Sequence, residues 1–231
     1  MTVVAEVTLW GTRIGAVSQD EGAGAIAVFQ YKRDFLASGI QVSPLAMPLQ
    51  PEPWRFADLN PETFRGLPGL LADSLPDRYG NTLIDAWLAQ QGRSAESFNA
   101  VERLCYVGRR GMGALEFAPS IGPRDRRSKR IEIGALVELA SEVLSHRAGL
   151  AGSFAEPERT KAVRDILMVG TSAAGARAKA VIAWSPTTNE TRSGQVNAGP
   201  GFQYWLVKFD GVSGNRDKEL NDPEGFGAIE L

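Results

Sequence analysis

The sequence predicts an α+β protein in which a small antiparallel-sheet domain with helices is followed by a partial second lobe. Alternating apolar residues near the N-terminus predict paired strands. Apolar residues at helical spacing predict helices in both halves. A basic run at residues 124–130, flanked by proline and glycine, separates the halves. We therefore place the two domains at residues 1–122 and 131–231.

Composition narrows the class of protein. With 231 residues, 43% of them hydrophobic, the chain can build a core, and its net charge of −2 argues against bulk binding of nucleic acid. One cysteine, Cys105, excludes an internal disulfide, and one histidine, His146, makes a His/Cys zinc site improbable. No signal peptide or membrane span is predicted, so we expect a cytoplasmic protein without a metal site.

The first domain is predicted to begin with strands over residues 3–17, turning at Gly11, and over 25–31. Prolines between residues 44 and 61 predict a surface connection that includes an edge strand or loop. A helix over 77–91 follows, with Asp73 or Ser74 as its N-cap and Pro76 near its first position. A shorter helix over 95–106 and a strand ending at residue 117 complete this domain.

Two charged segments can each be interpreted either as a binding element or as a structural connection. The glycine-rich residues 107–115 could form a phosphate loop with Arg109 and Arg110, but a tight helix-to-strand connection with glycines at positive φ is favoured. The basic run at 124–130 could touch nucleic acid, but a solvated linker between domains is favoured.

The second domain is predicted to contain helices over residues 131–147 and 156–168, then strands. The strands are expected at 180–184, about 191–196 and 204–209, with a hairpin turn at 186–189. A last helix is predicted from Pro223 onward, with Asp222 as its candidate N-cap. Because no helix terminator follows that segment, the ending resembles a cut through an element.

The segment 169–184 is the candidate functional element of the chain. Small residues come first, then Lys179 and an apolar run typical of a buried strand. A backbone with so little side-chain bulk can turn its N–H groups toward an anion. A second strand ends at Lys208, as in kinase-like sites, where a strand lysine lies under a glycine-rich loop. The segment matches neither a Walker loop nor a dinucleotide fingerprint, and a plain tight turn remains the alternative.

The order of several short segments resembles the HipA family, the kinase toxins of bacterial HipA–HipB toxin–antitoxin modules. Residues 44–49, 69–77 and 111–115 are similar to the family's N-terminal domain. Residues 172–179 and 206–210 resemble the start of its kinase core. The resemblance runs over essentially the whole chain. It implies an ATP-dependent Ser/Thr protein kinase fold distantly related to eukaryotic kinases.

The resemblance also assigns roles to individual residues. Lys208 corresponds to the phosphate-pairing lysine, and Ser172 to a serine that family members autophosphorylate, which expels the loop and inactivates the kinase. Glu230 is the candidate helix-borne acid that positions the lysine. The segment corresponding to the ATP-contacting loop comprises Ala174, Gly175, Ala176, Arg177, Ala178 and Lys179.

Two departures from the family pattern limit the predicted activity. Arg177 and Ala178 stand where many members have Gln-Glu. The family's catalytic aspartate, its asparagine and its metal-binding aspartate would follow Leu231, so we assign no catalytic residue and expect Mg²⁺ only together with that missing lobe. Phosphoryl transfer depends on such groups. We therefore predict a truncated HipA-type kinase that is inactive alone.

The partners follow from the same resemblance. They are a HipB-like antitoxin, DNA only indirectly through that antitoxin, and a protein substrate such as an aminoacyl-tRNA synthetase. The alternative function is a non-catalytic interaction module, which binds the antitoxin or complements a separate kinase chain.

Overall fold

The computed structural model describes residues 2–22, 24–122, 130–145, 178–209 and 229–230. These residues form antiparallel sheets and helices, which confirms the α+β prediction. The chain divides into two compact units, Met1–Leu75 with Glu96–Gly122, and Pro76–Ala95 with Pro123–Leu231. Residues 76–95, which the sequence assigned to the first domain, thus group with the second unit. The functional domain boundaries themselves stay a prediction.

The first unit is built on a four-stranded antiparallel sheet. Its spatial strand order is β3-β2-β1-β4. Short helices and one longer helix connect and cover the strands. The elements are β1 (Thr2–Leu9), β2 (Thr12–Asp20), β3 (Val28–Tyr31), α1 (Arg33–Leu36), α2 (Pro61–Phe64), α3 (Gly69–Ala72), a 3₁₀ turn (Ala95–Ser97), α5 (Ala100–Val107) and β4 (Leu115–Ala118).

Alternation along the strands determines which face of this sheet is buried. Val7, Val17 and Phe29 point into the core, whereas Val4 on the other face of β1 is about half exposed. The period of two is the pattern of a sheet with one covered face. The predicted turn at Gly11 is confirmed, with φ of 80°. Residues 43–49, predicted as an edge strand or loop, form turns.

Gln19 connects three backbone segments beneath this sheet. Its side-chain amide donates to the carbonyl oxygens of Ala25 (2.7 Å) and Arg65 (3.1 Å). Its amide oxygen accepts from the N–H groups of Ala100 (3.1 Å) and Val101 (3.4 Å), at the start of α5. The first N–H groups of a helix have no partner within the helix. A buried glutamine therefore completes the hydrogen bonding of α5 and ties it to β2.

Helix α5 begins with a capping box and carries the only cysteine. The Asn99 side chain accepts from Glu102 N, and the Glu102 carboxylate accepts from Asn99 N. Cys105 lies one turn farther along, with 2% of its surface exposed. Burial, with the negative charge of Glu102 as the second cause, raises the pKa of the Cys105 thiol to about 11.

We expect Cys105 to resist alkylation in the folded protein. The thiolate is the reactive form, and a pKa of about 11 leaves far less thiolate at about pH 8 than the ordinary value does. Iodoacetamide labelling followed by mass spectrometry should be about 100-fold slower in buffer than in denaturant. Equal rates in the two solutions would contradict the burial of this side chain.

The described residues of the second unit form two helices and a second antiparallel sheet of four strands. The strand order is β6-β5-β7-β8. Apolar residues of both helices, including Leu83 and Leu136, pack with Ile182 of the sheet in one core. The elements are α4 (Arg78–Gln90), α6 (Ile133–Ser145), β5 (Lys179–Ser185), β6 (Glu190–Ser193), β7 (Gln203–Lys208) and β8 (Ile229–Glu230).

Helix α4 is confirmed close to its predicted bounds of 77–91, but its N-cap lies later in the chain than the sequence predicted. Its N-cap is Asp77, whose carboxylate accepts from Gly80 N at 2.7 Å, and not Asp73 or Ser74. The N–H groups of Asp73 and Ser74 donate to carbonyls of α3, which commits both residues to the preceding turn. Pro76 accordingly precedes the cap and does not occupy the first helical position.

The predicted last helix is wrong at residues 229 and 230. These two residues form β8, with Ile229 opposite Val207 and Glu230 opposite Leu206 on β7. A strand edge carries unpaired backbone groups, and pairing along β7 satisfies them where a short isolated helix would be marginal. The predicted helix at 156–168 and the N-cap at Asp222 lie outside the described residues, as do 124–129 of the basic linker.

Candidate nucleotide-binding site

The two predicted lysines lie side by side at one end of the second sheet. Lys179 is the first residue of β5, Lys208 is the last residue of β7, and the two are directly opposite in the antiparallel register. Directly opposite residues of an antiparallel pair share a face of the sheet. The structure therefore brings Lys179 and Lys208 together, on the same face, where the chain enters β5.

The described part of the predicted loop begins at Ala178. This residue is buried, and its carbonyl oxygen accepts from Phe209 N at 2.9 Å, which extends the β5–β7 pairing by one bond. Other predicted site residues lie outside the described residues, namely Ser172, Ala174, Gly175, Ala176 and Arg177. The point at which the small-residue segment joins the sheet is thus held by backbone and packing together.

Lys179 is buried in an ion pair with Asp77. The ammonium lies 2.7 Å from the carboxylate, and the exposed fractions of the two side chains are 1% and 9%. An unpaired ammonium in such surroundings costs several kcal/mol, so the carboxylate compensates a charge that the interior otherwise disfavours. Lys208 is half-buried at the neighbouring position.

Asp77 is the functional candidate that sequence reasoning missed. Desolvation raises the pKa of its carboxyl group, whereas the N–H of Gly80 and the Lys179 ammonium act in the opposite direction. Its two oxygens have different partners, because Oδ1 accepts from Gly80 N and Oδ2 meets Lys179. The available signal was an aspartate directly after Leu75-Pro76, a typical helix start.

The other end of the lysine face is covered by the β6–β7 connection. Arg192 and Tyr204 both lie opposite Ala183 and so share its face. The Arg192 guanidinium donates to Ala198 O at 3.3 Å, and the Tyr204 hydroxyl accepts from Ala198 N at 2.9 Å. This segment lies over the end of the sheet remote from Lys179 and Lys208.

A cavity of about 570 Å³ lies on the opposite face of the same sheet. Residues 205 and 207 alternate with Lys208 along β7, so their side chains point away from the lysine face. The cavity is therefore separate from the paired lysines. Its lining combines the apolar residues of the sheet with the segment before α6, and includes Ile131, Ile182, Trp184, Trp205 and Val207.

The arginines of the glycine-rich turn at 107–115 have partners within the first unit. Gly108 adopts φ of 57° and ends α5, as the favoured interpretation required of a tight connection. Arg109 pairs with Glu116 at 3.1 Å, and the Arg110 guanidinium lies 4.7 Å from the centre of the Tyr106 ring. These contacts favour the connection over a second phosphate loop.

The described part of the chain contains neither a membrane-spanning helix nor a metal-binding cluster. No helix there is long and apolar enough to cross a membrane. Among those residues, no group of three or more His, Cys, Asp or Glu side chains could hold a metal ion.

Comparison with known proteins identifies the first half of the chain. Residues 5–118 match the family model of the HipA N-terminal domain. This domain class occurs in toxins of toxin–antitoxin systems. The match identifies residues 5–118 as a HipA N-terminal domain and supports a HipA family protein, as the order of the segments in this half suggested. No curated protein matches the sequence.

Proposed function

We propose that the second unit is the nucleotide-binding part of a HipA-type Ser/Thr protein kinase. The observation that carries this proposal is the register pair of Lys179 and Lys208, where a small-residue segment joins the sheet. Backbone N–H groups of residues 174–179 would surround the phosphates of ATP, and Lys208 would contact them as a strand-borne cation. The family membership of the first domain supports the same conclusion.

The proposal includes a regulatory serine but assigns no catalytic group. Phosphorylation of Ser172 would add about −1.5 to −2 charges next to the phosphate loop, which would repel ATP. By resemblance, phosphoryl transfer also needs a general base and Mg²⁺ ligands from a further kinase lobe, and no described residue is assigned to either role. The activity proposed for these residues is therefore ATP binding. Transfer to a protein substrate, such as an aminoacyl-tRNA synthetase, would need that lobe.

A second candidate function is an interaction module for a HipB-like antitoxin or a separate kinase chain. Its support is an exposed apolar pair in the first unit, Trp10 (82% exposed) and Met112 (52%). The turn between β1 and β2, which carries Trp10, meets the segment before β4, which carries Met112, because Trp10 N donates to Ala114 O at 3.4 Å. Tryptophan and methionine are enriched in protein interfaces. Titration with ATP separates the candidates, because a pure interaction module leaves ATP unbound.

We expect Lys208→Ala to weaken ATP binding by roughly 10- to 100-fold, because a charged hydrogen bond contributes about 1.5–3 kcal/mol. Isothermal titration calorimetry with ATP measures the change. Lys32→Ala is the matched control, since it removes an exposed lysine paired with Asp34 in the first unit. Its affinity should equal that of the wild type. Equal affinities of Lys208→Ala and the wild type, or no binding by either, would contradict the proposal.

A further inference from the structure

The buried pair of Asp77 and Lys179 joins two elements at the proposed phosphate site. Asp77 is the N-cap of α4, and Lys179 is the first residue of β5. Both oxygens of Asp77 are engaged, one by Gly80 N and the other by the Lys179 ammonium, each at 2.7 Å. A carboxylate held from two directions has a defined orientation, so it can determine where the lysine lies.

The burial of Lys179 limits what its ammonium can do. With 1% of the side chain exposed, the ammonium is in contact with Asp77 and cannot meet a solvent-borne phosphate without leaving that partner. Its neighbours Ala178 and Ala180 are also buried, so the chain on both sides is held in place. Lys179 therefore contributes to a ligand site through its backbone and through the position of the start of β5, and not through its ammonium.

We propose that Asp77 is a positioning residue, which holds Lys179 and with it the start of β5 beside Lys208 at the proposed phosphate site. This inference rests on the proposed ATP-binding function. This role differs from the one predicted for Glu230, because Asp77 holds Lys179 and not Lys208, and because Asp77 lies at the N-terminus of a helix whereas Glu230 lies on β8. It also gives the two lysines different roles, because Lys208 would contact phosphate while Lys179 fixes the start of β5 opposite it.

The pair also lowers the local concentration of positive charge. Two lysines directly opposite on paired strands repel each other. Asp77 engages the Lys179 ammonium, so a phosphate at this pair of positions would meet the charge of Lys208 and not that of Lys179. Removing only Asp77 therefore disturbs both the position of Lys179 and the balance of charge between Lys179 and Lys208.

The test compares Asp77→Asn, Lys179→Met and the double variant in the full chain. Asparagine caps a helix about as well as aspartate does, so Asp77→Asn preserves α4. Each single change breaks the buried ion pair while keeping one of its two charges, and it should lower the unfolding midpoint in urea. The double variant removes both charges and should recover most of that loss. It therefore supplies a folded protein even where a single variant is too unstable to purify.

The deciding measurement is the ATP affinity of the double variant. We expect it to be at least about tenfold weaker than that of the wild type. Adenosine, which lacks phosphates, should bind the two proteins equally. Glu190→Gln is the matched control, since it removes an ion pair with Arg192 (2.9 Å) at the other end of the sheet. Its ATP affinity should remain within about twofold of the wild type, because Glu190 is remote from the loop.

Two results would overturn the inference and are distinguishable from each other. If the double variant binds ATP like the wild type while Lys208→Ala does not, the pair serves only stability and the proposed function stands. If the wild-type protein binds ATP no better than adenosine, the proposed function fails and the positioning role fails with it.

Discussion

Replacing Gln19 with methionine is expected to destabilise the first unit by about 3 kcal/mol or more. Methionine has a similar length but no amide, so the change removes four hydrogen bonds at once. Two N–H groups at the start of α5 and the carbonyls of Ala25 and Arg65 lose this partner. Each buried polar group left without a partner costs about 1–3 kcal/mol. Because Gln19 is 5% exposed, water cannot readily substitute.

Urea denaturation, combined with hydrogen exchange of the α5 amides, measures this effect. Protection of Ala100 and Val101 should fall first, since their N–H groups meet the Gln19 oxygen. Gln30→Met is the control, because Gln30 lies on β3 and its amide makes an exposed hydrogen bond to Pro51 O. That variant should change stability by less than about 1 kcal/mol. Similar losses in both variants would refute the connecting role of Gln19.

Gly66→Ala is expected to have a comparably large effect, about 3 kcal/mol or more. Gly66 has φ of 77°, a left-handed conformation that disfavours any side chain. A β-carbon there would also collide with the carbonyl oxygen of Ala25 and approach Gln19 Nε2 at 3.1 Å. The carbonyl of Gly66 accepts from Ala27 N at 2.9 Å, so the backbone cannot move away without losing that bond.

Gly39→Ala isolates the conformational part of that cost. Gly39 has φ of 69°, but a β-carbon there would meet nothing within 4 Å. We therefore expect a loss of about 1 kcal/mol from the left-handed conformation alone. The difference between the two variants in urea denaturation measures the collision with Ala25. A Gly66→Ala protein as stable as Gly39→Ala would contradict the close approach of these two segments.

Short-range patterns made most of the secondary structure predictable. Alternation predicted β1 and β2, and an uninterrupted apolar run predicted β5, because strand faces repeat every two residues or are buried on both sides. The helix α4 was predicted to within one residue at each end, but its N-cap was missed by a few residues. Asp73, Ser74 and Asp77 are all plausible caps by residue type, and only the hydrogen bonds of α3 exclude the first two.

The candidate site was predictable in part. The small residues and the two strand lysines marked the segment, since their types and order suit phosphate binding. That Lys179 and Lys208 are directly opposite depends on the register of β5 and β7, which sequence spacing of 29 residues (208 − 179) leaves open. The partner of Lys179 lies 102 residues earlier (179 − 77), and no local pattern predicts an ion pair across that separation.

By itself, the amino-acid sequence determined the α+β class, the alternating strands, and a lysine on each of two strands near a small-residue segment. Those features depend on interactions between residues only a few positions apart, so the spacing of residue types in the sequence is enough to predict them. The tertiary structure alone decided that α4 groups with the second unit, that residues 229–230 form a strand, and that Asp77 meets Lys179. Each of these depends on a partner that is distant in sequence, such as an unpaired strand edge or a buried charge. Only the packed chain brings such partners together.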